Sequence, residues 1–178
     1  MKKIIFQLTI FFILMIFLFQ QLSFAQHTNS EEDRLKTVAL EMMNHSSTCA
    51  LITLDKNNAP VARMMQTTPT ANDFIIWLAT NPKTRKVEQI TVNEKVSLYY
   101  SDSTETGYLS VQGKAILVND LETKKAHWKE GWQAFYPNME TDMVLIKIIP
   151  TEIELVSYVN GIISKEETWA ASKLKLTN

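Results

Sequence analysis

Lys83, Arg85 and Lys86 stand with two hydroxyl residues, Thr80 and Thr84, inside one seven-residue stretch of the chain. An apolar, strand-like run from Phe74 to Ala79 precedes it, and a helix-like run from Val87 to Ile90 follows. Pro82 is suited to a first helical turn. A helix start carries unpaired N–H groups and the positive end of the helix dipole. Cations and hydroxyls gathered there describe an anion site, and phosphate is the natural anion. Arg grips it through two parallel N–H bonds, while Lys acts as a point charge. The competing reading, a solvated basic helix end, is weakened by the Thr80–Asn81 step and by Arg63 upstream. Alternation along Val61 to Gln66 puts Val61, Arg63 and Met65 on one face. An inward Arg on an apolar face is costly unless it meets an anion. Met64 and Met65 by themselves read as core filler.

The elements that must position these groups follow from periodicity. Leu35, Val38, Ala39, Met42 and Met43 recur at helical spacing. Strands are expected over Thr48 to Leu54, Pro60 to Thr67, Phe74 to Ala79, Val96 to Tyr100 and Tyr108 to Val118. Gly113 marks a bulge or a close backbone approach within the last of these. Asp120 caps a helix expected to run to about Ala134. Met143 to Ile149 and Glu152 to Tyr158 then read as two strands broken at Pro150. Trp128, Trp132 and Phe135 fall at i, i+4 and i+7. They read as a stripe packed on the barrel rather than a lid over a ligand. Short, hairpin-connected strands with helices between them predict a mainly β fold with helices, a small antiparallel barrel.

Composition narrows the class. Lys2 and Lys3, the apolar run Ile4 to Leu18 and the small residues around Ser23 to Ala25 make residues 1–25 a signal peptide cleaved after Ala25. Of 18 basic and 19 acidic residues, two lysines leave with it. The remaining 16 against 19 give a net charge of −3, a poor basis for nucleic-acid binding. A periplasmic or secreted protein is expected, with no membrane association after cleavage. One domain over residues 26–160 and a polar, at best weakly helical tail over 161–178 complete the layout. Cys49, the single cysteine, reads as a buried small hydrophobe. His27, His45 and His127 have no metal-ligand spacing.

Arg63-Met64-Met65, together with Thr80-Asn81 and Thr84-Arg85-Lys86-Val87, resembles the flavin-binding signature of the pyridoxamine 5'-phosphate oxidase-like split-barrel superfamily, its general-stress-protein branch above all. Ser110 to Ala115, Trp128 to Pro137 and Asp142 to Tyr158 extend the resemblance, which covers Leu35 to Tyr158. It implies an antiparallel, Greek-key-like split β-barrel that binds flavin mononucleotide (FMN). Arg63, Thr84, Arg85 and Lys86 would hold the phosphate. The ring would lie against the strand from Arg63 through Met64 and Met65 to Gln66, near Trp77 to Thr80 and the adjoining Asn81. A homodimer with flavin at a two-fold interface is implied, as is a flavin-dependent oxidoreductase of unknown substrate. Vitamin B6 oxidation is not expected. Tyr108 stands where the true oxidase has glutamine, and no Arg-x-His element follows Tyr158. A non-catalytic flavin- or haem-binding stress protein is the alternative.

Overall fold

The computed structural model describes residues 15, 30–68, 70–101 and 106–176. Apart from residue 15, the signal-peptide expectation lies outside the described residues. The chain divides into two compact units, Met1–Thr37 and Val38–Asn178. In the first, residues 30–37 are helical, and Glu31–Arg34 (3.4 Å) and Glu32–Lys36 (2.7 Å) pair along the exposed helix surface. Such pairs contribute only a few tenths of a kcal/mol. Helix α1 covers residues 30–45, and its second half belongs to the second unit. There Val38, Ala39, Met42 and Met43 are buried at the spacing of one helical face. No helix among the described residues is long and apolar enough to cross a membrane.

Among the described residues, seven antiparallel strands build the second unit: β1 (Thr48–Leu54), β2 (Pro60–Gln66), β3 (Ile76–Thr80), β4 (Lys95–Ser101), β5 (Tyr108–Val118), β6 (Val144–Val156) and β7 (Ser172–Lys175). The spatial order is β2-β1-β4-β5-β6-β3, with β7 also paired to β6. Alternation sends Leu51, Leu98, Leu109, Val111, Ile146, Ile148 and Ile153 into the interior, where none is exposed. The two ends of this path, β2 and β3, approach each other without joining the ladder. The result is a split β-barrel, and the split lies between the strands that carry Arg63 and Thr80.

Helix α2 (Arg85–Val92) returns the chain from β3 to β4 and packs on β1 and β5, burying Ile90. Helix α3 (Leu121–Ala126) begins where expected, with the Asp120 carboxylate accepting from the Thr123 amide at 2.8 Å. It ends at Ala126 rather than Ala134. The chain turns through Gly131, in the left-handed region at φ 87°, into a 3-10 turn at Trp132–Ala134 and then α4 (Met139–Asp142). This break drives Trp132 into a cluster with Ala79, Met143 and Leu145, against which Trp77, Trp128 and Tyr136 pack. The buried Lys124 ammonium donates to the carbonyls of Met139 (3.1 Å) and Glu140 (2.8 Å), tying α3 to α4.

Two expectations about the end of the chain need correction. Pro150 does not break the sheet, because β6 is one strand of 13 residues. Gln112 pairs with Glu152 and Gly113 with Pro150, so Thr151 is extra and forms a bulge. A proline without an N–H is tolerated at such a site. Gly113 is required opposite it: a Cβ there would lie 2.6 Å from the Ile149 carbonyl oxygen, part of a backbone that cannot step aside. Gly113→Ala is therefore expected to lower the unfolding free energy by about 1–3 kcal/mol. Urea denaturation checks this, and an unchanged midpoint would contradict it. The second correction concerns the tail, which forms β7 instead of weak helix. Bulging splits one edge of β6, with β3 pairing to Val144–Ile148 and β7 to Glu152–Leu155. Leu174 is buried at its centre, and Lys173 pairs with Glu152 (3.3 Å) and Glu154. An edge that would otherwise be free is thereby covered.

Candidate functional site

The β3-to-α2 turn is shaped by its own side chains. Asn81 Oδ1 accepts from the Lys83 amide (2.9 Å), and Thr84 Oγ1 donates back to the Asn81 carbonyl (2.9 Å). Thr84 holds the N-cap position of α2 but makes no side-chain cap, so the first N–H groups of the helix face the turn uncapped. Thr80, buried at the end of β3, accepts from Lys86 Nζ at 2.9 Å, and its oxygen lies 3.4 Å from that of Thr84.

Arg63 enters from β2, half-buried and opposite Leu51 in the ladder. Its Nη1 donates to the Leu51 carbonyl (3.1 Å) and to Thr53 Oγ1 (2.7 Å), and its Nη2 donates to Gln89 Oε1 (2.9 Å). Thr53 Oγ1 also donates to Gln89 Oε1, at 2.5 Å. All three acceptors of the guanidinium are neutral. Among the described residues, no ion pair involves Arg63, Lys83, Arg85 or Lys86. The electrostatic consequence is mutual repulsion in a partly dehydrated place. Burial first, then Arg85, lowers the pKa of Arg63. Burial, then Arg63 and Arg85, lowers that of Lys86 below its usual 10.5.

A cavity of about 410 Å³ is lined by Arg63, Lys83, Thr84, Arg85 and Lys86. Next to it, and sharing Lys86, a cleft of about 280 Å³ opens between the free edges. Met64, Met65 and Gln66 form its β2 wall, and Ala79 and Thr80 its β3 wall. Trp132, Phe135 and Tyr136 form the third side. The cationic cavity alone falls within the roughly 300–1,000 Å³ typical of cofactor sites, and the cleft beside it extends that space. One half is strongly cationic, and the other is apolar and aromatic.

Of the residues singled out in the sequence, Arg63, Thr84, Arg85 and Lys86 meet in the cationic cavity, while Met64, Met65 and Thr80 line the cleft beside it. Asn81 lines neither and shapes the turn instead. Met65 faces inward with Arg63, whereas Met64 is 65% exposed on the opposite face of the strand. Three contributors, Gln89, Thr53 and Tyr136, escaped the sequence reading, and Gln66 was placed only as part of the strand behind the ring. Gln89 and Thr53 lock Arg63, Gln66 accepts the Trp132 indole N–H at 2.9 Å, and Tyr136 packs edge-on to Trp132. Thr53 left a trace, being the one polar residue in the inward series Cys49, Leu51, Thr53. The aromatic stripe divides in two: Trp132 is core, as expected, while Phe135 is 74% exposed at the mouth of the cleft. Cys49 is buried, and burial pushes its thiol up to about 11. It is therefore unreactive at neutral pH. Among the described residues no group of three or more His, Cys, Asp or Glu is placed to hold a metal ion.

The family described as pyridoxamine 5'-phosphate oxidase like matches residues 33–172, and the chain belongs to it. No curated protein matches the chain. Solved structures share the fold. General stress protein 26 of Bacillus anthracis str. Sterne is 23% identical with a TM-score of 0.64, covering 80% of this chain and 98% of its own. A protein related to general stress protein 26 from Clostridium acetobutylicum is 20% identical with a TM-score of 0.66, covering 79% and 94%. A pyridoxamine 5'-phosphate oxidase-related, FMN-binding protein from Nostoc punctiforme is 13% identical with a TM-score of 0.59, covering 80% and 94%.

Proposed function

We propose that this protein is an exported flavoprotein that binds FMN in the split of its barrel. The observation that carries the reading is the unneutralised cluster of Arg63, Arg85 and Lys86 opening into an aromatic-walled cleft. Arg63, Thr84, Arg85, Lys86 and the uncapped start of α2 hold the phosphate. Met64, Met65 and Thr80 border the ring, with Trp132 closing the far side. The chemistry that FMN supplies when bound is one- or two-electron transfer. This chain's residues bind and orient the cofactor and screen it from water. A homodimer is part of the proposal, since an isologous contact at the free edges would cover the split and the cofactor together. Vitamin B6 is not the proposed substrate, because Val159 to Ser164 offer neither Arg nor His.

Visible absorption of the purified protein tests the reading. Bands of oxidised flavin, present on purification or appearing as FMN is added, are expected. Bleaching of those bands by a nicotinamide nucleotide would mark an oxidoreductase. A Soret band would point to haem, and a colourless protein indifferent to added FMN would overturn the proposal.

A further inference from the structure

We infer that Gln89 is a positioning residue whose neutral amide fixes the Arg63 guanidinium without cancelling its charge, reserving that charge for a phosphate ligand. The inference rests on the FMN reading for the identity of the ligand, and on the geometry for the rest. Gln89 lies one helical turn beyond Arg85 on α2, so a single helix presents two of the cations and the acceptor that orients the third. Its Oε1 receives two hydrogen bonds, from Arg63 Nη2 at 2.9 Å and from Thr53 Oγ1 at 2.5 Å. Thr53 in turn accepts from Arg63 Nη1 at 2.7 Å, closing a three-membered ring of contacts. Thr53 is fully buried on β1, so the ring is anchored in the barrel wall and not in mobile surface groups.

A carboxylate is the usual partner of a half-buried guanidinium, and it would form a stronger bond. Glutamate differs from glutamine by one atom and would fit the same place. It would also neutralise Arg63 and place a negative charge beside the cavity meant for an anion. An amide gives up that bond strength and leaves the guanidinium positive but immobile. The one carboxylate on the same helix, Glu88, is exposed and lines a neighbouring groove with Asp55 and Lys56, a groove that Arg85 and Gln89 also border. It pairs with none of the cavity cations. The arrangement thus separates two tasks that one ion pair would merge: holding an arginine and satisfying it.

The test compares wild type, Gln89→Glu and Gln89→Met by calorimetric titration with FMN, riboflavin and inorganic phosphate, alongside thermal melts of the ligand-free proteins. Gln89→Glu is expected to weaken FMN and phosphate by roughly 30-fold or more, the scale of one charge-assisted contact. Riboflavin affinity should not change, and the ligand-free melting temperature should hold or rise. Gln89→Met keeps the length of the side chain and removes the amide, acceptor and donors together, without adding a negative charge, so its loss of FMN affinity should be smaller. Equal losses in the two variants, or no loss in Gln89→Glu, would overturn the inference. If wild type ignores FMN yet binds phosphate, and Gln89→Glu abolishes that binding, the flavin reading fails and the role of Gln89 stands. If no form binds either anion, both fail. Should Gln89→Glu not fold, the Met variant decides: unchanged phosphate and FMN affinity in it would dismiss Gln89 as a positioning residue.

Discussion

Replacing Arg63 by Ala is expected to cost about 1.5–3 kcal/mol of FMN affinity, the usual worth of a hydrogen bond to a charged group. Lys86→Ala is expected to cost a similar amount. Both values follow from the fact that, among the described residues, no carboxylate forms an ion pair with these side chains. An arginine already paired would lose little on removal, since its charge would be spent inside the protein. Here the guanidinium is fixed by Leu51, Thr53 and Gln89 through neutral oxygens, and Lys86 is fixed by the Thr80 hydroxyl. Neither cation has to be reoriented or released before it meets the phosphate, so little ordering cost offsets the contact. Riboflavin, which lacks the phosphate, should bind both variants as it binds wild type. A parallel loss of riboflavin would mean that the substitutions had disturbed the cleft itself.

The second large effect is a dependence of FMN affinity on pH in the alkaline range. Burial, with Arg63 and Arg85 nearby, lowers the pKa of Lys86 from 10.5. Lys83 lines the same cavity, and Tyr136, whose phenol is pushed up by burial, lines the adjoining cleft. In the ligand-free protein the folded pKa lies below the unfolded one. Charged Lys86 therefore opposes folding at neutral pH, and that cost is relieved as pH rises through the window between the two. A bound phosphate reverses the preference by favouring the ammonium, so binding takes up a proton in the same window. FMN affinity should then fall as pH climbs through the lowered Lys86 pKa, while the contribution of Lys86 to ligand-free stability improves. Lys86→Arg should shift the loss of affinity to higher pH, because arginine keeps its proton. Titrations from neutral to alkaline pH check the slope, and an affinity that rises with pH would contradict the assignment of Lys86 to the phosphate.

The frame of the barrel was readable because its strands obey period two and end at strong turn signals. β1 and β5 run over the residues that alternation marks, and Asp120 caps α3 as its position before Leu121 suggests. The failures share a cause, which is that a partner strand or a tertiary contact decided the outcome. Pro150 reads as a breaker until Gly113 is seen across the ladder, where the pair forms a bulge and β6 continues. The helix expected through Ala134 has the right apolar spacing. Yet Gly131 and the burial of Trp132 against Met143 and Leu145 outweigh propensity. Ser172 to Lys175 are too few to declare a strand alone and become one on the exposed half of β6.

The site divides in the same way. Arg63 and the Thr84 to Lys86 run could be found because charge at a helix start, and charge on an apolar face, are local signals. Gln89 carries no charge and no unusual spacing, and its role exists only where α2 crosses β1 and β2. Tyr136, and the bond by which Gln66 accepts from the Trp132 indole, became visible only once the loop after α3 folded back over the split.

Calorimetric titration of FMN into wild type and into the Arg63→Ala, Lys86→Ala double variant tests the phosphate cradle most directly. A fall in affinity of at least one charge-assisted contact, about 1.5–3 kcal/mol, with riboflavin unaffected, is the predicted result. Equal FMN affinity in the two proteins would contradict it and place the phosphate elsewhere.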